Sequence, residues 1–150
     1  MITLLDYGAG NVRSVVNAIE RVGETVQVAR HAADLEQAER LVFPGVGSFG
    51  ALMCALREQG MREPLLRYLH AGKPFFGICI GLQALFAGSE EAPEEPGLGF
   101  FPGQVRRFQG DLAVPHIGWN GIKAHQSSPL FAGLRGDEKF YFVHSYHAVA

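Results

Sequence analysis

Residues 74–83 read PFFGICIGLQ. An apolar run from Pro74 to Ile78 meets a cysteine set between Gly77 and Gly81, and the residues beyond it fall at helical spacing. The stretch reads as a buried strand, a tight turn and a helix. Two readings of Cys79 follow. Cysteine is among the most buried residue types, so it can be core filling. Alternatively, Gly-Ile-Cys-Ile-Gly has the form of a nucleophile elbow, in which flanking glycines let a strained turn present the side chain at the top of a sheet. A helix N-terminus behind the thiol is then expected to lower its pKa. The N–H of Ile80 would face the same space and serve a developing oxyanion. The stretch alone leaves both readings open.

The same alternation extends upstream. Ile2 to Asp6 is a short apolar run followed by the glycine-rich YGAGN. Val12, Val15, Val16, Ile19 and Val22 fall at helical spacing, with Gly23 as a stop. TVQVAR alternates like a strand, and RLVFPG is another apolar run. Ser48 suits the N-cap of a helix carrying Phe49, Leu52, Met53 and Leu56. Pro64 suits the first turn of the next helix, with Leu65, Leu66 and Leu69, and Gly72 beyond its end. After PFFGIC, IGLQALFAG is read as one helix. Strand–helix alternation over residues 2–87 implies a parallel sheet with right-handed crossovers and helices on both faces. Sites in such sheets lie at the carboxyl ends of the strands, so YGAGN, FPGVGSFG and GICIGLQ are expected along one edge. Beyond Gly88, SEEAPEEPGLG is read as a solvated connection, and QVRRFQ, LAVPHIGW and KFYFVHSYHAVA as strands. The whole of residues 1–150 is read as one domain.

Thirteen basic and fifteen acidic residues give a net charge of −2, with no electrostatic case for nucleic acid or an anionic membrane. The start, MITLLDYGAGN, has neither a basic leader nor a long apolar core, and Cys54 and Cys79 make no disulfide framework. A cytoplasmic location without membrane association is expected. His144 and His147, three apart on one strand, would point to opposite faces, so no metal site is expected there.

DYGAGN, FPGVGSFG, GICIGLQ, GSEEAP, PHIGWN and YFVHSY occur in this order nearly end to end. Together they resemble the class I (triad-type) glutamine amidotransferases, and most of all the glutaminases of histidine biosynthesis. The resemblance implies a flavodoxin-like open, mostly parallel sheet with helices on both faces, the class I glutamine amidotransferase fold. It implies hydrolysis of glutamine to glutamate and ammonia, with the ammonia passed to a cyclase partner built as a (β/α)8 barrel in a heterodimer. No cofactor is implied. Cys79 would be the nucleophile, and the N–H groups of Val46 and Ile80 the oxyanion donors. Gly47, Gln83, His144, Ser145 and Tyr146 would hold glutamine. Asn11, Trp119 and Tyr141 would face the partner. From the residues themselves, Trp119 and Tyr141 are equally compatible with a buried aromatic core.

One departure stands out. In the family a late His-Pro-Glu segment supplies the general base and its orienting carboxylate. Here His31, His70, His116, His125, His144 and His147 are followed two residues on by Ala33, Gly72, Gly118, Ser127, Tyr146 and Val149. The sequence is therefore expected to be an N-terminal portion of such a subunit, C-terminally incomplete in fold and with little turnover by itself. Two alternatives stand beside this: a non-catalytic binding or regulatory module of the cyclase, and a different cysteine hydrolase using His116 or His144 as base.

Overall fold

Four of the apolar runs form one parallel sheet. Strands β1 (Ile2–Leu5), β2 (Val26–Ala29), β3 (Leu41–Gly45) and β4 (Phe75–Cys79) lie in the order β2-β1-β3-β4. The computed structural model describes residues 1–111 and 113–149. Leu112 and Ala150, which begin and end two of the strand runs read from the sequence, lie outside the described residues. The chain divides into two units, Met1–Arg107 with Tyr146–Ala150, and Phe108–Ser145.

In the first unit the crossovers carry α1 (Val12–Arg21), α2 (Ala32–Glu36), and the pair α3 (Phe49–Glu58) and α4 (Arg62–His70). Right-handed crossovers put α1 on one face and α2 to α4 on the other, because the first connection runs one way along the sheet and the later ones return. Ser48 caps α3, its side chain accepting from the Ala51 N–H, and Phe49, Leu52, Met53 and Leu56 are buried as their spacing predicts. Helix α4 buries Pro64, Leu65 and Leu69. The five-residue α2 was not expected. Its signal is Asp34, whose carboxylate accepts from the Arg30 and His31 N–H groups at 2.9 Å. The stripe on α1 is the weakest match, since among its predicted members only Ile19 is buried and Val22 lies past the helix end.

Helix α5 (Ile80–Gln83) is shorter than the sequence suggests. IGLQALFAG was read as one helix, but it stops after a single turn. The carbonyls of Ala84, Leu85 and Phe86 accept instead from the N–H groups of Leu98, Phe101 and Gly99, so the ladder is taken over by the returning chain. That return pins the ends of SEEAPEEPGLG, whose middle is the solvated connection its composition suggests, with Glu90, Glu91 and Glu94 exposed. Ser89 and Leu98 are buried, and Glu90 donates its N–H to the Val105 carbonyl at 2.9 Å. Strands β5 (Gln104–Arg107) and β8 (Tyr146–Val149) pair antiparallel in this unit.

In the second unit β6 (His116–Asn120) and β7 (Phe140–His144) form an antiparallel ladder. KFYFVHSYHAVA was read as one strand. It is two, broken at Ser145, with β7 pairing β6 and β8 pairing β5. Among the described residues no helix is long and apolar enough to cross a membrane.

The core gathers between the sheet and α2 to α4, with Phe43 fully buried and meeting Tyr7 and Phe75 edge-on at ring separations of 6.0 and 6.5 Å. Phe43→Ala should cost about 3–5 kcal/mol, as large aromatic deletions from cores do. Val22→Ala, at a position 77% exposed, should fall within about 0.5 kcal/mol of the parent. Denaturant midpoints for the two variants check this.

Candidate functional site

The parallel register decides what meets at the sheet edge. Gly45, at the end of β3, pairs with Cys79 at the end of β4. The turn that follows Gly45 is therefore the immediate neighbour of the elbow. Tyr7, just past the end of β1, closes the group, its phenol oxygen lying 3.3 Å from both the N and the O of Val46. Two of the three glycine-rich turns are thus tied directly by hydrogen bonds, and the third by strand register.

Cys79 has φ 54° and ψ −118°, alone among the described non-glycine residues at positive φ. Such a backbone costs about 1–3 kcal/mol and persists only where its surroundings dictate it. Here the glycines supply the reason. A Cβ on Gly81 would collide with the Phe43 carbonyl oxygen, one on Gly45 would lie 2.6 Å from the Gly81 nitrogen, and one on Gly77 would lie 2.8 Å from the Leu82 backbone. The elbow is seated directly on β3, backbone against backbone. This favours the elbow reading over simple core filling, and Cys79 is exposed rather than packed away.

The electrostatics differ from the expectation of a lowered thiol pKa. Desolvation by the surrounding protein pushes the Cys79 thiol above the ordinary cysteine value. The Ile80 N–H, donating to the sulfur, opposes this, and the negative charge of Glu91 adds to the rise. Helix α5 is one turn long, too short for its N-terminus to outweigh those two effects. Glu91 is a residue that sequence reasoning missed. Its carboxylate accepts the Phe49 N–H at 2.7 Å at the start of α3, which fixes it on the Cys79 side of the sheet edge. An acidic loop carries no sign in sequence that one of its carboxylates will cap a distant helix.

The remaining predicted residues separate by unit. In the first unit Gly47 has φ 94°, a conformation that favours glycine, and Ile80 is buried. Gln83 is buried, with its side-chain amide donating to the Tyr146 carbonyl at 3.1 Å, so these two residues are joined. Asn11 is the N-cap of α1, its side-chain oxygen accepting from the Ser14 N–H at 3.3 Å. In the second unit His144 ends β7, and its Nε2 lies 3.4 Å from Nδ1 of His116, directly across the ladder. Asn120 Nδ2 lies 2.7 Å from the other ring nitrogen of His116. The carbonyl of Ser145 accepts the Phe108 N–H at 3.0 Å. His144 and His147 lie on different strands, so the one-strand argument made for them does not apply. Trp119 and Tyr141 face each other across β6 and β7, 68% and 56% exposed, with rings 5.4 Å apart. That exposure is against their being core aromatics.

Comparison with known proteins places the chain. Residues 3–150 match the family described as Glutamine amidotransferase class-I. Imidazole glycerol phosphate synthase hisHF of Schizosaccharomyces pombe is 52% identical over 148 residues, which is 97% of this chain and 27% of that protein. Imidazole glycerol phosphate synthase subunit HisH is 47% identical in Syntrophotalea carbinolica, over 99% of this chain and 76% of the relative. The subunit of the same name in Deinococcus radiodurans is 51% identical, over 97% and 69%. The chain thus spans about a quarter of the first relative and roughly seven-tenths of the other two. A solved glutamine amidotransferase shares the fold with TM-score 0.71 at 23% identity, covering 96% of this chain and 70% of that one.

Glu91→Gln keeps the acceptor for Phe49 but removes the charge. The rate of Cys79 alkylation by iodoacetamide should then rise at neutral pH, and its pH profile should move to lower pH. Gly81→Ala should disrupt the elbow, read as changed alkylation at Cys79 with a lowered denaturation midpoint.

Proposed function

This chain belongs to the class I glutamine amidotransferase family, and we propose that it carries the nucleophile half of the glutaminase of imidazole glycerol phosphate synthase. The observation that carries the reading is the pairing of Gly45 with Cys79, which sets the PGVG turn beside a strained cysteine elbow. Relatives over almost the whole chain bear the synthase name, which supports a synthase partner. That glutamine is the substrate and that the partner is a cyclase built as a (β/α)8 barrel belong to the proposal.

The sulfur of Cys79 attacks the side-chain amide carbon of glutamine. A C–S bond forms, and the carbonyl π pair moves onto oxygen. The N–H groups of Ile80 and Val46 receive that oxyanion. Its collapse breaks the C–N bond and, with a proton delivered to nitrogen, releases ammonia. Water then attacks the thioester, giving glutamate and the free thiol. In the first unit Gly47, Gln83 and Tyr146 are assigned to the substrate and Asn11 to the cyclase; in the second unit His144 and Ser145 are assigned to the substrate, and Trp119 and Tyr141 to the cyclase. The exposed Trp119–Tyr141 pair supports the last assignment, because exposed aromatics are enriched at interfaces. The reaction runs in the cytoplasm as a step of histidine biosynthesis.

A thiol raised by desolvation and by Glu91 needs a proton acceptor before it attacks. No histidine among these 150 residues is followed two positions later by glutamate. The 150 residues by themselves should therefore release glutamate slowly, by several orders of magnitude relative to an enzyme with its triad base.

Glutamate release is measured for the protein paired with a cyclase subunit. Cys79→Ser should abolish it, by a factor of about 10³ or more, with cyclase binding retained. Unchanged release in Cys79→Ser contradicts the reading. Binding to the cyclase with no release from the wild type would favour a non-catalytic module instead.

A further inference from the structure

Among the described residues of the second unit none is buried, so its ladder has no core of its own. Two strands held by backbone pairing alone are marginally stable. What β6 and β7 share on one face is therefore decisive, and that face carries two histidines. His116 and His144 stand directly opposite each other. Nδ1 of His116 lies 3.4 Å from Nε2 of His144, and Asn120 Nδ2 lies 2.7 Å from Nε2 of His116. An amide nitrogen only donates, so Nε2 of His116 is its unprotonated nitrogen. The proton of His116 is then on Nδ1, which donates to Nε2 of His144, and the proton of His144 is on its Nδ1. Donation runs one way, from Asn120 through His116 to His144. Phe142 stacks on the His116 ring at 5.5 Å and 27°, and Phe108 meets the His144 ring edge-on at 4.9 Å.

We propose that this histidine pair is a pH-sensitive switch, which joins β6 to β7 while at least one ring is neutral and parts them when both are charged. With one ring charged, the other still offers an acceptor, and the Asn120 amide turns to present its oxygen where it is needed. With both charged, only donors face each other, and like charges directly opposite on a ladder repel. By the alternation of the strands the same face carries Gly118, Asn120, Phe140 and Phe142, none with a charge to offset the pair. The segment that brings Phe108 carries Asp111, which is exposed. Histidines in general take up a second proton between about pH 8 and 5. The pair therefore supports the ladder above that range, and the support is lost as pH falls through it. Trp119 and Tyr141 ride on the same two strands, so acid withdraws that aromatic surface as well. None of this rests on the glutaminase reading.

Trp119 is the single tryptophan of the chain, and its ring lies 5.4 Å from that of Tyr141 across the ladder. The tryptophan band in near-UV circular dichroism therefore reports on this ladder. In the wild-type chain the band should fall by about half or more between about pH 8 and 5. In His116→Gln, which leaves one ring to charge, it should change by less than about a fifth over the same range. A wild-type band that does not change overturns the proposal, and so does a variant band that falls as the wild type's does. If His116→Gln has no band even at about pH 8, nitrogen NMR of the wild-type histidine rings decides. Both rings should take up their second proton as the band falls, from a neutral state in which each carries its proton on Nδ1. Loss of the band while either ring stays neutral, or a neutral His116 with its proton on Nε2, overturns it.

Discussion

The site depends on one close approach, that of Gly81 to the carbonyl of Phe43. Only a residue without a Cβ lets the first turn of α5 lie directly on β3. Gly45 and Gly77 complete the same seat from the neighbouring strand and from β4 itself. Because the elbow cannot back away, Cys79 is forced to φ 54°, and its side chain stands at the carboxyl edge of the sheet rather than inside it. The β3–β4 register then delivers the PGVG turn to the same place. Strain in one residue is thus set by the missing side chains of three others.

That logic was legible in the sequence to the extent that it is local. Gly77 and Gly81 flank Cys79 in plain view, and Ser48 with its apolar followers specified α3 closely. The parallel sheet followed from alternation alone. What failed was non-local. The end of α5 is decided by Leu98, Gly99 and Phe101, which capture its next carbonyls from outside the quoted stretch. The break at Ser145 is set by which strand each half pairs with, a fact no periodicity contains. Glu91 and Tyr7 escaped notice for the same reason, since each acts through a backbone group about forty residues away.

The electrostatics give the elbow a particular character. Nucleophilic cysteines are commonly activated by a positive neighbour or a long helix N-terminus. Cys79 has a one-turn helix, a desolvated sulfur and a carboxylate whose field opposes ionisation. Such a thiol stays protonated at neutral pH until a base approaches. The second unit contributes a different surface. An aromatic pair stands exposed across a two-stranded ladder, and on its other side His116 meets both His144 and Asn120.

The central claim is that Cys79 forms a covalent bond to the side-chain carbonyl carbon of glutamine. Mass spectrometry of the protein, acid-quenched during turnover of glutamine with a cyclase subunit present, tests it directly. The account predicts a single glutamyl group on the peptide that contains Cys79. An adduct on Cys54, or turnover with Cys79 unmodified at every quench time, would contradict it.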